Sequence, residues 1–158
     1  MRPALEILRL TPAHEAALGT LFAALVAAGS EEFFHPHSFD AATARAIAGY
    51  AGADLYFGAV NDGVILAYGM LRGWDEGYEV PSLGIAVHPA HRGCSVGRTM
   101  MHFLHSAAVV RGATRIRLTV HPANHGAIQL YRSLGYAFTA EGADRLIGLL
   151  PLVGQPKP

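Results

Sequence analysis

Residues 83–98 constrain the fold more than any other stretch of the chain. Leu83 to His88 reads as a strand, ended by Pro89. From Val96, apolar residues recur at Met100, Leu104, Ala107 and Ala108, a helical spacing that Gly112 closes. Only a short turn rich in small residues, Gly93-Cys94-Ser95, lies just ahead of that helix. A second strand follows, because Ile116, Leu118 and Val120 alternate with Arg115, Arg117 and Thr119 in a half-buried pattern. Asn124 then caps a helix through Leu134, with Gly135 closing it. This succession belongs to a mixed α/β chain built on one sheet.

The flanking segments extend the pattern. Leu5 to Leu10 alternates as a strand, and Thr11-Pro12 reads as a cap with proline at the first helical position. The helix is expected to run to Gly29, with Leu18, Leu21, Phe22 and Leu25 on one stripe. An aromatic loop, Glu31 to Phe39, precedes a second helix that Asp40 caps and that reaches about Tyr50. Leu55–Val60 and Val64–Leu71 flank Asn61-Asp62-Gly63, a hairpin signal. Trp74 to Glu79 forms a polar, aromatic loop, and Tyr136–Thr139 and Leu146–Leu152 are short final strands. No linker interrupts the sequence, so residues 1–153 read as one domain and residues 154–158 as a tail.

Composition narrows the function classes. Twelve Lys and Arg balance twelve Asp and Glu, which argues against a general nucleic-acid binder. The longest apolar run, Ala16 to Gly29, is shorter than the roughly 20 residues a spanning helix needs. One cysteine, Cys94, leaves neither an internal disulfide nor a Cys-rich zinc site. The expectation is a soluble, cytoplasmic protein without membrane or nucleic-acid partners. Its zero net charge lowers self-repulsion and is compatible with a homodimer.

The strand–turn–helix segment also carries the chemistry. Exposed amides at a helix start suit a phosphate or pyrophosphate, and small residues let such a ligand approach the backbone. Arg92 and Arg98 add positive charge. The spacing fits neither the dinucleotide fingerprint nor the P-loop. On these residues alone, an anion cradle and an ordinary glycine-containing turn are equally good readings.

The second half shifts that balance. Arg92 to Gly97 follows the apolar pair in Ile85-Ala86-Val87 and matches the first and last positions of Arg/Gln-x-x-Gly-x-Gly/Ala. Downstream, Asn124, Ala127, Leu130, Tyr131, Leu134, Gly135 and Tyr136 match an Asn…Ala-x-x-Leu-Tyr-x-x-Leu-Gly-Tyr/Phe run. In this order and spacing, over residues 81–138, the chain resembles the GNAT superfamily of N-acetyltransferases. The resemblance implies a single domain with a mixed, mainly antiparallel sheet flanked by helices. It also implies acetyl-CoA as acetyl donor, with no metal. The backbone of Ile85, Ala86 and Val87 would pair with the pantetheine arm, and the amides of Gly93, Cys94, Ser95, Val96, Gly97 and Arg98 would hold the pyrophosphate. Asn124 would contact the cofactor, and Tyr131 would protonate the departing thiolate while a neutral amine attacks the acetyl carbonyl.

Two positions depart from the family pattern. Ser95 stands at the middle glycine, where a Cβ restricts positive φ. Thr119 stands where several members carry a glutamate base, so the base must come from elsewhere. Glu79 is the first candidate, with Asp75, Glu76 and His88 behind it. Tyr131 also reads as a core tyrosine, and Asn124 as a plain helix cap. The nine histidines form close pairs such as His102/His105, but without a metal-site motif they do not argue for a metal. His35 and His37 lie in a loop that either shapes an acceptor pocket or is a solvated turn. The acceptor expected is a small primary amine such as an amino sugar or amino acid. Protein N-terminal acetylation and a non-catalytic acyl-CoA-binding module are the alternatives.

Overall fold

A computed structural model describes residues 4–153, so the expected tail at 154–158 lies outside the described residues. Seven strands form one sheet: β1 (Glu6–Arg9), β2 (Leu55–Asn61), β3 (Val64–Arg72), β4 (Ser82–Val87), β5 (Arg115–Val120), β6 (Ala137–Ala140) and β7 (Leu146–Pro151). Their spatial order is β1-β2-β3-β4-β5-β7-β6. All neighbours are antiparallel except β4 and β5, which run parallel. The final hairpin therefore folds back so that β7, not β6, pairs with β5.

Among the described residues, four α-helices cover the two faces: α1 (Glu15–Ala27), α2 (Ala41–Ala48), α3 (Val96–Val110) and α4 (His125–Ser133). On one face, Leu18, Leu21, Phe22 and Leu25 of α1 pack with Ala44 and Ile47 of α2 onto Ile65, Tyr68 and Met70 of β3. On the other, Met100, Met101 and Leu104 of α3 and Ile128 and Tyr131 of α4 pack onto Leu71, Leu83, Ile116 and Leu118. Each face thus buries its own apolar set, as a sheet covered on both sides requires. The described residues contain no helix long and apolar enough to cross a membrane.

Several element ends differ from the sequence reading, each for a local reason. α1 stops at Ala27 rather than Gly29, because Gly29 turns at φ +70° into a short 3-10 segment, Ser30–Glu32. α2 stops at Ala48, and the Tyr50 hydroxyl accepts from the Asp54 N–H (3.0 Å) instead of extending the helix. Pro12 opens a 3-10 turn in which His14 Nδ1 accepts from the Thr11 N–H (2.9 Å). Asp40 caps α2 as expected, accepting from the Thr43 N–H at 2.7 Å.

At the far end of α3, the buried Tyr136 hydroxyl and His105 Nε2 share a hydrogen bond at 2.7 Å. Burial, with His102 nearby, pulls His105 down to about 4, so the folded state holds it neutral. The unfolded chain takes up that proton at ordinary histidine pH, so stability is complete above about pH 6.5 and falls as pH drops toward 4. Urea unfolding should accordingly give a lower midpoint at pH 5 than at pH 7. His105→Leu should narrow that gap, and an unchanged gap would remove His105 as its source.

Candidate active site

Parallel strands β4 and β5 share a single register pair, Ser82 with Arg117, reinforced by the Arg117 N–H donating to the Pro81 carbonyl (3.0 Å). Beyond it they diverge. The backbone groups of β4 that do not bond β3 therefore open into a gap rather than into a neighbouring strand. A cleft of about 720 Å³ occupies this gap, with Ile85, Ala86 and Val87 on one wall and Asn124, Ala127, Leu130 and Tyr131 on the other.

The start of α3 forms the cleft's polar end. Intrahelical pairing begins where the Thr99 N–H donates to the Ser95 carbonyl at 3.0 Å, so the amides of Val96, Gly97 and Arg98 are the unpaired donors of the first turn. Gly97 allows the helix to sit tightly on β4, because a Cβ there would come within 3.3 Å of Val87 Cγ2. Gly93 turns at φ +77°, and Ser95 adopts the left-handed conformation at φ +64° that its position demands. Serine thus fills the glycine role at the cost of strain, on the order of 1 kcal/mol. Arg92 hydrogen-bonds Ser30 Oγ (2.7 Å) and Arg98 hydrogen-bonds Ser133 Oγ (2.9 Å), tying the turn to both sides of the cleft.

The sequence-derived residues divide into two groups. Arg92, Gly93, Ser95, Gly97, Arg98 and Asn124 line the cleft along with Ile85, Ala86, Val87 and Tyr131. Cys94 is exposed and outside the lining, and Val96 is buried in the core beneath α3. Asn124 Oδ1 accepts from the Ala127 N–H at 3.4 Å, so it caps α4 while lining the cleft. The Tyr131 phenol is buried and pushed up to about 12 by desolvation, which keeps it protonated at neutral pH.

The expected bases fare differently. Glu79 is exposed in the loop before β4 and lines neither the cleft nor the cavity beside it. Asp75 accepts from the Ala53 N–H (2.8 Å), tying its loop to the one before β2, and His88 Nδ1 accepts from the Ala90 N–H (3.1 Å) in a local turn. The loop that carries Asp75, Glu76 and Glu79 is organised by a residue the sequence did not single out. Buried Asp54 accepts from the N–H groups of Gly73, Trp74 and Asp75 at 3.0, 2.9 and 3.3 Å.

A second cavity, of about 280 Å³, adjoins the cleft, and Glu32, Phe33, Phe34, Thr119 and Val120 line both. His35 also lines this cavity. His37 instead packs inward: its Nδ1 donates to the Ser38 carbonyl (2.9 Å), which leaves Nε2 to accept from the Tyr68 hydroxyl (3.1 Å). Burial lowers the His37 pKa, in keeping with this neutral tautomer. His121 packs at a tilt against Phe33, with ring centroids 5.1 Å apart, and its Nδ1 accepts from the Ala123 N–H. Its Nε2 therefore carries the proton when the ring is neutral, making it a donor. Glu32 and Arg72, which also line this cavity, carried no sequence signal beyond a charge in a loop and a charge ending an apolar strand.

Comparison with known proteins agrees with this architecture. The curated streptothricin acetyltransferase of Streptomyces lavendulae is 35% identical over 65 residues, which is 41% of this chain but spans only a third of that enzyme. The ribosomal-protein-S18-alanine N-acetyltransferase of Escherichia coli superposes with a TM-score of 0.73 at 19% identity, covering 98% of this chain and 97% of its own. YncA, an acetyltransferase fold from Salmonella typhimurium solved with acetyl-CoA, superposes with a TM-score of 0.71 at 21% identity, covering 98% of each chain.

The strain at Ser95 is directly testable. Ser95→Gly should relieve it and raise stability by about 0.5–1 kcal/mol in urea unfolding. A loss of stability would show that the left-handed turn is not strained. The acetyltransferase (GNAT) family model matches residues 22–136, and with the cleft between β4 and β5 this places the chain in that family.

Proposed function

We propose that this acetyltransferase moves an acetyl group from acetyl-CoA directly to a primary amine of a small molecule, with Tyr131 as general acid. The observation that carries the reading is the continuity of two cavities: a long cleft ending on the amides of α3, and a small one joined to it at Glu32, Phe33, Phe34, Thr119 and Val120. The cleft residues fit acetyl-CoA. Unpaired amides at the start of α3, flanked by Arg92 and Arg98, suit a pyrophosphate, and the free edge of β4 suits the amide-bearing pantetheine arm. When bound, that donor supplies an activated acetyl thioester. The streptothricin acetyltransferase relative is in keeping with an amine acceptor on a small molecule.

The chain's own residues then have separable tasks. With the donor bound, amides at the free edge of β4 would stabilise charge developing on the thioester carbonyl oxygen. Tyr131, held protonated by burial, donates a hydrogen bond and then a proton toward the leaving sulfur. A phenol this weakly acidic keeps its proton until negative charge appears beside it, so donation is confined to the transfer step. Glu79 lies outside both cavities, whereas Glu32 lines both, and Glu32 accepts the amine proton directly or through water.

Release of CoA thiol should be measured against pooled amino sugars, amino acids, polyamines, aminoglycosides and short peptides. Release with a small-amine pool is the expected result. A peptide-only signal would transfer the activity to polypeptide N-termini, and acetyl-CoA binding without release in any pool would favour a binding module. With an acceptor in hand, Tyr131→Phe should lower kcat by about 100-fold or more while acetyl-CoA affinity stays within about threefold. Unchanged kcat would remove Tyr131 as the acid.

A further inference from the structure

The smaller cavity is chemically polarised. Arg72 ends β3 and lines this cavity but not the cleft, whereas Glu32 lines both. Arg72 is the register partner of Ser82, which also lines the cavity, and Ser82 is in turn the partner of Arg117 on β5. Three adjacent strands thus present an Arg-Ser-Arg row just where β4 and β5 begin to separate.

Among the described residues, neither Arg72 nor Arg117 forms a salt bridge. The salt bridges among the described residues are His35 with Glu31 and Arg145 with Glu141. Arg117 Nε is buried with no hydrogen-bond partner, a donor whose desolvation is uncompensated in the free protein. Tyr56, Tyr68 and His37 all sense the charge of Arg72, and burial lowers the His37 pKa, with Arg72 adding to the shift. A half-buried guanidinium that lines a cavity without being engaged in a salt bridge is an oxyanion receptor, able to take a carboxylate or phosphate with two parallel hydrogen bonds. The cavity's other carboxylate, Asp144, sits beside Arg145 on the loop between β6 and β7. Glu32 remains at the junction with the cleft, at the end where an amine must arrive.

We infer that the acceptor is a small amine that also bears an oxyanion, bound with the anion on Arg72 and Ser82 and the amine directed past Glu32 into the cleft. This inference rests on the acetyltransferase reading above and adds the acceptor's charge pattern to it. Arg117, in register with Ser82, does not line the cavity itself. The bipolar arrangement also selects orientation, since a reversed ligand would place its anion against Glu32 and its ammonium against Arg72.

The test compares matched acceptors: amino acids against their amides, and amino-sugar phosphates against the free amino sugars. Anionic members should exceed their neutral counterparts by about 10–100-fold in kcat/KM, the range expected for a charge-assisted hydrogen-bonded pair. The carboxylate and phosphate arms identify which oxyanion is used. Arg72→Gln should collapse the anionic-to-neutral ratio toward one, mainly through KM, while Arg72→Lys should restore part of it; thermal melts confirm that both variants fold. Calorimetric titration of an N-acetyl amino acid against its amide gives a readout independent of turnover, with tighter binding of the acid lost in Arg72→Gln. Equal use of neutral and anionic amines, or binding of neither acid nor amide, overturns the anion site. In the first case the acetyltransferase reading stands untouched, whereas failure of acetyl-CoA itself to bind would defeat that reading separately.

Discussion

Ser82 and Arg117 form the sole register pair between β4 and β5, and from that point the two parallel strands separate. The rest of the site depends on this separation. A sheet that stayed zipped would satisfy the backbone of β4 on both edges and leave no room between Ile85 and Thr119. A sheet that opened fully would strand polar backbone without a partner. The molecule resolves the conflict by holding the strands apart with packed helices: α3 buries Met100, Met101 and Leu104 on one side of the split, and α4 buries Ile128 and Tyr131 on the other. The cleft is consequently a structural property of the sheet rather than of a mobile loop.

The same geometry explains where charge sits. The first turn of α3 points its unpaired amides at one end of the cleft, and the crossover from β4 fixes that direction. Arg92 and Arg98 reach across to serines on the 3-10 segment after α1 and on α4, so the positive end is braced from both walls. At the opposite side of the split, the arginines flanking Ser82 form no salt bridge among the described residues, while Glu32 stands at the passage between the cavities. Two anion-attracting ends with a carboxylate between them form a pattern suited to bringing a charged donor and a charged acceptor together.

Much of this was legible in the residues. The change from strand to helical periodicity at residues 83–112 located β4 and α3, and the Asn124-to-Gly135 run located α4 with Tyr131 on its inner face. What failed to show was long-range. Sequence spacing says nothing of the strand order that puts β7 between β5 and β6. Nor does it show that Glu79, near β4 in the chain, sits on an exposed loop. Asp54 was invisible because its three acceptor bonds go to backbone about 20 residues away. Ser95 was legible as a departure from the motif, yet only the structure shows that serine takes the left-handed turn regardless.

The central claim is that the start of α3 and the free edge of β4 hold acetyl-CoA, and backbone amide NMR tests it most directly. Titration with acetyl-CoA should shift and protect the amides of Val96, Gly97 and Arg98 together with those of Ile85 to Val87. Tight binding that left these amides unmoved, with changes confined to other parts of the chain, would contradict the account.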